Sequence, residues 1–108
     1  MKYAELFKPV RIGNLELKNR FVMPAMDSST TTPEHKFSRQ SIDYFAARAK
    51  GGFALVITEF MAVDPTGFAT PNQVGIYGDS FLPGLRELTD AIHEKGGKCC
   101  AQIHHAGI

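Results

Sequence analysis

Residues 48–59, Arg48-Ala-Lys-Gly-Gly-Phe-Ala-Leu-Val-Ile-Thr-Glu59, decide how this chain folds. From Phe53 to Thr58 the run is apolar and β-prone without alternation, as expected of a strand covered on both faces. The glycine pair before it, Gly51-Gly52, is a helix stop. Upstream of that stop, Ile42, Phe45, Ala46 and Ala49 recur at i, i+3, i+4 and i+7, the apolar face of a helix that Ser38 or Ser41 can cap. A helix running directly into a doubly covered strand belongs to a parallel sheet with helical crossovers.

The pattern repeats downstream. A Gly/Pro-punctuated stretch from Asp64 to Gly78 leads to a second helical face formed by Phe81, Leu85, Leu88 and Ile92. Asp79 or Ser80 can cap it, Gly96-Gly97 ends it, and Lys98 to Ile103 reads as a further strand. Toward the N-terminus, Pro9 to Leu17 brackets Gly13-Asn14, a turn pair that predicts a β-hairpin. Phe21-Val-Met23 is a short apolar strand stopped by Pro24, and the Ser/Thr-rich stretch from Asp27 to Pro33 reads as a functional loop.

The order is therefore hairpin, β, α, β, α, β, with parallel strands and right-handed crossovers. An open doubly wound sheet and the first part of a (β/α)₈ barrel both fit. No GxxxxGK[ST] loop and no GxGxxG after a strand is present, which disfavours a nucleotide-binding open sheet. A barrel needs eight strands and roughly 250 residues, so the segment is expected to be a fragment of a longer chain.

Bulk properties remove other classes. The chain has 108 residues, 44% of them hydrophobic, and a net charge of +1 from 12 basic and 11 acidic side chains spread along it. That balance gives no electrostatic case for nucleic acid or an anionic membrane. No apolar run approaches the roughly 20 residues of a membrane span, and Met1 to Gly13 has no apolar leader core. Two cysteines, Cys99 and Cys100, make no disulfide framework, so a reducing cytoplasm is the expected setting.

In parallel α/β folds ligands bind at the carboxyl ends of the strands. Here those ends are Pro24-Ala-Met-Asp27, Thr58-Glu-Phe60 and Gln102-Ile-His-His105, each with hydrogen-bonding groups after an apolar run. Together with the stretches LFKPVRIGNLELKNRFVM (6–23), RAKGGFALVITE (48–59), VGIYGDSFLPGLRELTDAIHEKGGK (74–98) and QIHHAG (102–107), the chain resembles the N-terminal part of the old yellow enzyme family. These are FMN-dependent NAD(P)H:flavin oxidoreductases, including ene-reductases and 2,4-dienoyl-CoA reductases. The resemblance covers essentially the whole chain. It implies an α/β fold, the N-terminal portion of a (β/α)₈ TIM barrel whose hairpin lid crosses the N-terminal mouth.

The resemblance also implies the site. Pro24, Ala25, Met26 and Asp27 would form the loop packed against the flavin. Phe60 would take a position, usually small, whose backbone approaches the isoalloxazine. Gln102 would pair the pyrimidine edge, a task suited to an amide because it offers both donor and acceptor. His104 would line the substrate pocket, and His105 would be structural. FMN is the implied cofactor and NAD(P)H the reductant, with hydride passing to a small-molecule activated alkene. Catalytic groups are expected downstream of Ile108, and an iron–sulfur cluster only in sequence beyond this segment. A homo-oligomer is the expected assembly. The chain departs from the family pattern at Asp27, where Cys or Thr is usual, and at Ile108, where Arg is usual.

Plainer roles are expected elsewhere. Successive strand residues face opposite ways, so neither Cys99/Cys100 nor His104/His105 forms a metal pair, and both cysteines should pack in the core. Met23 and Met26 read as packing residues, and His35 and His93 as surface residues. Glu59 is either a base near the flavin or a strand-end carboxylate bonding loop amides. Asp27 either tunes the flavin or caps the Ser/Thr loop. The rival functions are a non-catalytic barrel fragment acting as an association module and a small flavodoxin-like domain.

Overall fold

A computed structural model describes residues 2–107. Ile108, the position where the family pattern carries an arginine, lies outside the described residues. Strands β1 (Val10–Ile12) and β2 (Leu15–Leu17) form the expected hairpin, with Val10 opposite Leu17. Gly13 sits at φ +59° while Asn14 does not take a positive φ. Positive φ at only the first of two turn residues is the type II′ pattern, whose twist matches paired strands. Leu17 is buried against Ala54 and Leu55, with Val10 and Ile57 alongside, so the hairpin covers the start of the central strand. β3 (Val22–Met23) stops at Pro24 as expected.

Helix α1 (Arg39–Lys50) uses both candidate caps at once. Ser38 Oγ accepts the Ser41 N–H at 3.0 Å, and Ser41 Oγ accepts the Ser38 N–H at 2.7 Å, a reciprocal capping box. Ile42, Phe45 and Ala49 are buried and Ala46 is half-buried. Strand β4 (Leu55–Ala62) starts two residues after Phe53 and continues through Thr58, Glu59 and Phe60. The sequence pattern missed β5 (Val74–Gly75), because two residues carry no readable period.

Helix α2 (Leu82–Glu94) follows a 3₁₀ turn at Asp79–Phe81, and neither Asp79 nor Ser80 caps it. The turn leads the backbone into the helix, and Pro83 occupies the first turn, where its missing N–H costs nothing. Leu88 and Ile92 are buried as expected, as is Phe81 in the turn before them. Strand β6 (Lys98–His104) completes the described elements.

β3, β5 and β6 all run parallel to β4. β6 pairs along one edge of β4, while β3 and β5 share the other, at Leu55–Val56 and Met61–Ala62. Both helices pack on one face of this sheet, around Phe45, Val56, Met61, Leu88 and Ile92. The opposite face carries the hairpin at its N-terminal end and is open at its carboxyl end. That openness corrects one expectation: Cys99 packs against the core, but Cys100, on the other face, is exposed. No helix among the described residues is long and apolar enough to cross a membrane.

Candidate functional site

The site begins with an irregularity in β4. Ile57 pairs with Cys100 and Phe60 with Gln102, so three steps along β4 match two along β6. This β-bulge resets which side chains face which way. Regular alternation from Leu55 and Ile57 would place residues 59 and 61 on the open face; the extra residue substitutes Phe60 and Ala62. Phe60 therefore joins Gln102 and His104 on one face, with the Phe60 and His104 rings 4.9 Å apart.

Thr58 closes the gap that the bulge opens in the ladder. Thr58 is buried; its Oγ1 accepts the Gln102 N–H at 3.2 Å and donates to the Glu59 carbonyl at 2.9 Å. Thr58 thus holds Gln102 in place through the backbone, a role that its position at the end of an apolar run did not reveal. The Gln102 side chain is exposed, and its amide makes no hydrogen bond among the described residues.

The loop after β3 lies beside this strand end. The Ser28 N–H donates to Glu59 Oε2 at 3.2 Å, so Glu59 bonds a loop amide, the plainer of its two expected roles. Glu59 is fully buried, and its Oε1 has no partner among the described residues. Burial pushes its carboxyl above the ordinary value; the bonds from Ser28 oppose this, and the Asp27 charge adds to it. Asp27 Oδ1 accepts the Ser29 N–H at 3.0 Å, with Ser29 at φ +57°, so Asp27 caps the Ser/Thr loop. Asp27, Ser29, Thr70, Pro71 and Asn72 line a cleft of about 200 Å³. Pro24 is exposed, Ala25 half-buried and Met23 buried, but Met26 is 47% exposed and not a packing residue. A larger cavity, about 510 Å³, lies at the opposite end, beneath Phe7, Asn19, Phe21 and Phe53. It sits at the N-terminal end of β4, away from the strand-end groups.

Three histidines lie around the carboxyl ends. His104 Nδ1 is 3.3 Å from Gln73 Nε2. His35, expected at the surface, is instead half-buried: its ring stacks on Phe68 at 3.9 Å and its Nδ1–H donates to the Gln73 carbonyl at 2.9 Å. His105, for which the resemblance implied a structural role, makes its contacts within the strand-end loops. Its Nδ1 accepts the Gly107 N–H at 3.0 Å, Thr66 Oγ1 lies 3.4 Å from its Nε2, and Gly67 is the only residue small enough to pass under its ring. His93 is exposed on α2, as expected. Burial raises the Cys99 thiol to about 11, with the neighbouring Cys100 adding to the shift, so Cys99 is an inert packing group.

This arrangement, a parallel sheet whose open carboxyl end presents Phe60, an unpaired Gln102 amide and His104, has close relatives. The model of the NADH:flavin oxidoreductase / NADH oxidase family matches residues 5–108. The chain belongs to this family. It is 42% identical over 106 residues to an NADH oxidase of Thermoanaerobacter brockii, covering 97% of this chain and 16% of that protein. Its fold matches a 2-naphthoyl-CoA reductase in complex with 2-naphthoyl-CoA at TM-score 0.93 and 35% identity, over 97% of this chain and 16% of that one. It matches the old yellow enzyme from Trypanosoma cruzi at TM-score 0.88 and 30% identity, over 99% and 28%. The chain thus spans under a third of each of these proteins. The α/β architecture is the N-terminal part of an old yellow enzyme TIM barrel, which sets aside the flavodoxin-like alternative.

Proposed function

We propose that this chain supplies part of the flavin seat of an FMN-dependent NAD(P)H oxidoreductase that reduces an alkene activated by a carbonyl or thioester. The observation that carries the reading is the Gln102 amide, exposed and unpaired at a strand end, yet positioned through its own backbone by buried Thr58. A side chain fixed at its root and free at its tip suits a ligand edge that presents both donors and acceptors. The chemistry supplied by bound FMN is hydride relay from NAD(P)H to the alkene β-carbon.

The residues present fit that cofactor. Gln102 would pair the pyrimidine edge, the loop Pro24, Ala25, Met26 and Asp27 would lie against the ring, and Phe60 would border it. His104, in ring contact with Phe60, lines the space above. Phe60 is larger than the residue usual at that position, and its ring lies against His104. The family's own carbonyl-polarising groups would come from sequence beyond residue 108, beside any donor that this segment adds. The free cysteines suit a cytoplasmic protein.

Gln102→Leu in the full-length protein tests the reading. It strips a buried ligand edge of its partner, costing about 1–3 kcal/mol, so the FMN dissociation constant should rise by about one to two decades. Titration of apoprotein with FMN, followed by flavin fluorescence, measures it. Unchanged affinity with an unchanged flavin spectrum removes Gln102 from the seat.

A further inference from the structure

We propose that Gln73 is a positioning residue that holds His104 in its Nε2–H tautomer, so that the pocket above the strand ends offers a ring N–H donor to the carbonyl oxygen of the bound substrate. The proposal rests on the flavoenzyme reading for the identity of that substrate.

The tautomer follows from a chain of commitments that begins at Gln73. This residue is fully buried. Its Oε1 accepts the Ala69 N–H at 2.6 Å. With the oxygen taken by a backbone donor, the amide cannot be turned end for end, and the group facing His104 is the NH₂. An amide nitrogen only donates. His104 Nδ1, 3.3 Å away, must therefore be the lone-pair nitrogen, and the ring proton resides on Nε2. Nε2 has no partner among the described residues, and His104 is half-buried on the face it shares with Gln102 and Phe60.

Gln73 is itself held from three sides. Its carbonyl accepts from His35 Nδ1 at 2.9 Å, and the carbonyl of its neighbour Asn72 accepts from the Thr31 hydroxyl. On its other side Val74 enters β5, paired with Met61, and Gly75 donates to the His35 carbonyl at 2.9 Å. The loop after β3 and the loop after β4 are thereby tied together at one buried amide. Such an arrangement fixes the donor direction of a pocket side chain that could otherwise present either a donor or an acceptor.

The test uses the full-length flavoprotein with ¹⁵N-labelled histidine, His104 being assigned by the signal lost in His104→Phe. Long-range ¹H–¹⁵N correlation should show Nδ1 unprotonated and Nε2 protonated. Gln73→Glu puts an acceptor opposite Nδ1, and Nδ1 should then carry a proton; Gln73→Leu, which adds no charge, should leave both tautomers populated. A protonated Nδ1 in the neutral wild-type ring, or a tautomer unmoved by both variants, overturns the proposal. This readout needs no turnover, so it stands apart from the failure of the flavoenzyme reading, which would appear as absent FMN binding.

The donor role is read with cyclohex-2-enone as the probe. His104→Phe should raise its KM by about tenfold, the loss of one hydrogen bond, with flavin content unchanged. Adding Gln73→Leu to His104→Phe should raise KM no further, because Gln73 acts only through the ring. A KM unaffected by His104→Phe, or full additivity of the two changes, overturns the donor role.

Discussion

Replacing Glu59 by Gln should stabilise the protein at neutral pH and leave it unchanged in mild acid. Glu59 is fully buried, Oε1 has no partner among the described residues, and the carboxylate is held only by Ser28, whose N–H donates to Oε2 at 3.2 Å. Burial raises the folded-state pKa above the ordinary 4.5, so the folded protein keeps the proton at pH values where the unfolded chain has released it. Stability therefore falls as pH rises from about 4.5 to the folded-state value, and is level beyond it. A glutamine keeps the oxygen that faces Ser28 and carries no titration. Urea denaturation of full-length wild type and Glu59→Gln, in steps from pH 4.5 to pH 8, gives a difference curve in which the other titrating groups cancel. That difference should open in favour of the variant as pH rises, toward a value of about 1–3 kcal/mol. A flat difference, or one that opens in favour of the wild type, would refute the reasoning, since it would mean that the folded state stabilises the carboxylate.

Two further changes probe the scaffold that carries the site. Gly67→Ala places a Cβ 2.7 Å from His105 Cδ2, at a residue whose carbonyl also accepts the Ala106 N–H at 3.0 Å. It should cost about 1–3 kcal/mol by overpacking, whereas Gly84→Ala, with open space in α2, should gain up to about 1 kcal/mol; thermal denaturation of the pair checks both signs, and equal effects would mean that His105 moves freely. Ser38→Ala removes the acceptor for the Ser41 N–H and the hydroxyl bond to the Thr30 carbonyl, so about 1 kcal/mol should be lost. Amide exchange should quicken in the first turn of α1, and unchanged protection there would show that Ser41 suffices as a cap.

Much of the architecture was legible because it is encoded locally. The hairpin follows from Gly13-Asn14 between short apolar runs, and Ser38 three residues ahead of Ser41 prepares a reciprocal cap. The glycine pairs stop two helices, and the unbroken apolar run before Thr58 implies a strand covered on both sides. Propensity, period and capping act over a few residues, so a linear reading captures them. The family resemblance likewise rests on stretches in register along the chain, and the family model and solved structures agree with it.

The orientation of the site groups was not legible in that way. Whether Phe60 faces the helices or the open end depends on one extra residue in β4 relative to β6, a mismatch between strands some 40 residues apart. The same holds for Thr58, whose hydroxyl matters only because the bulge leaves the Gln102 amide without its ladder partner. His35 read as a surface residue and Gln73 went unnoticed, since nothing near either predicts that two loops meet there. Asp27, ambiguous in sequence, takes the backbone N–H two residues on as its partner. The sequence alone determined which elements form and in what order, because those choices are decided by interactions along the chain. Only the tertiary structure decided which side chains converge, because register and loop contact are set by pairing free energies between segments that are distant in sequence.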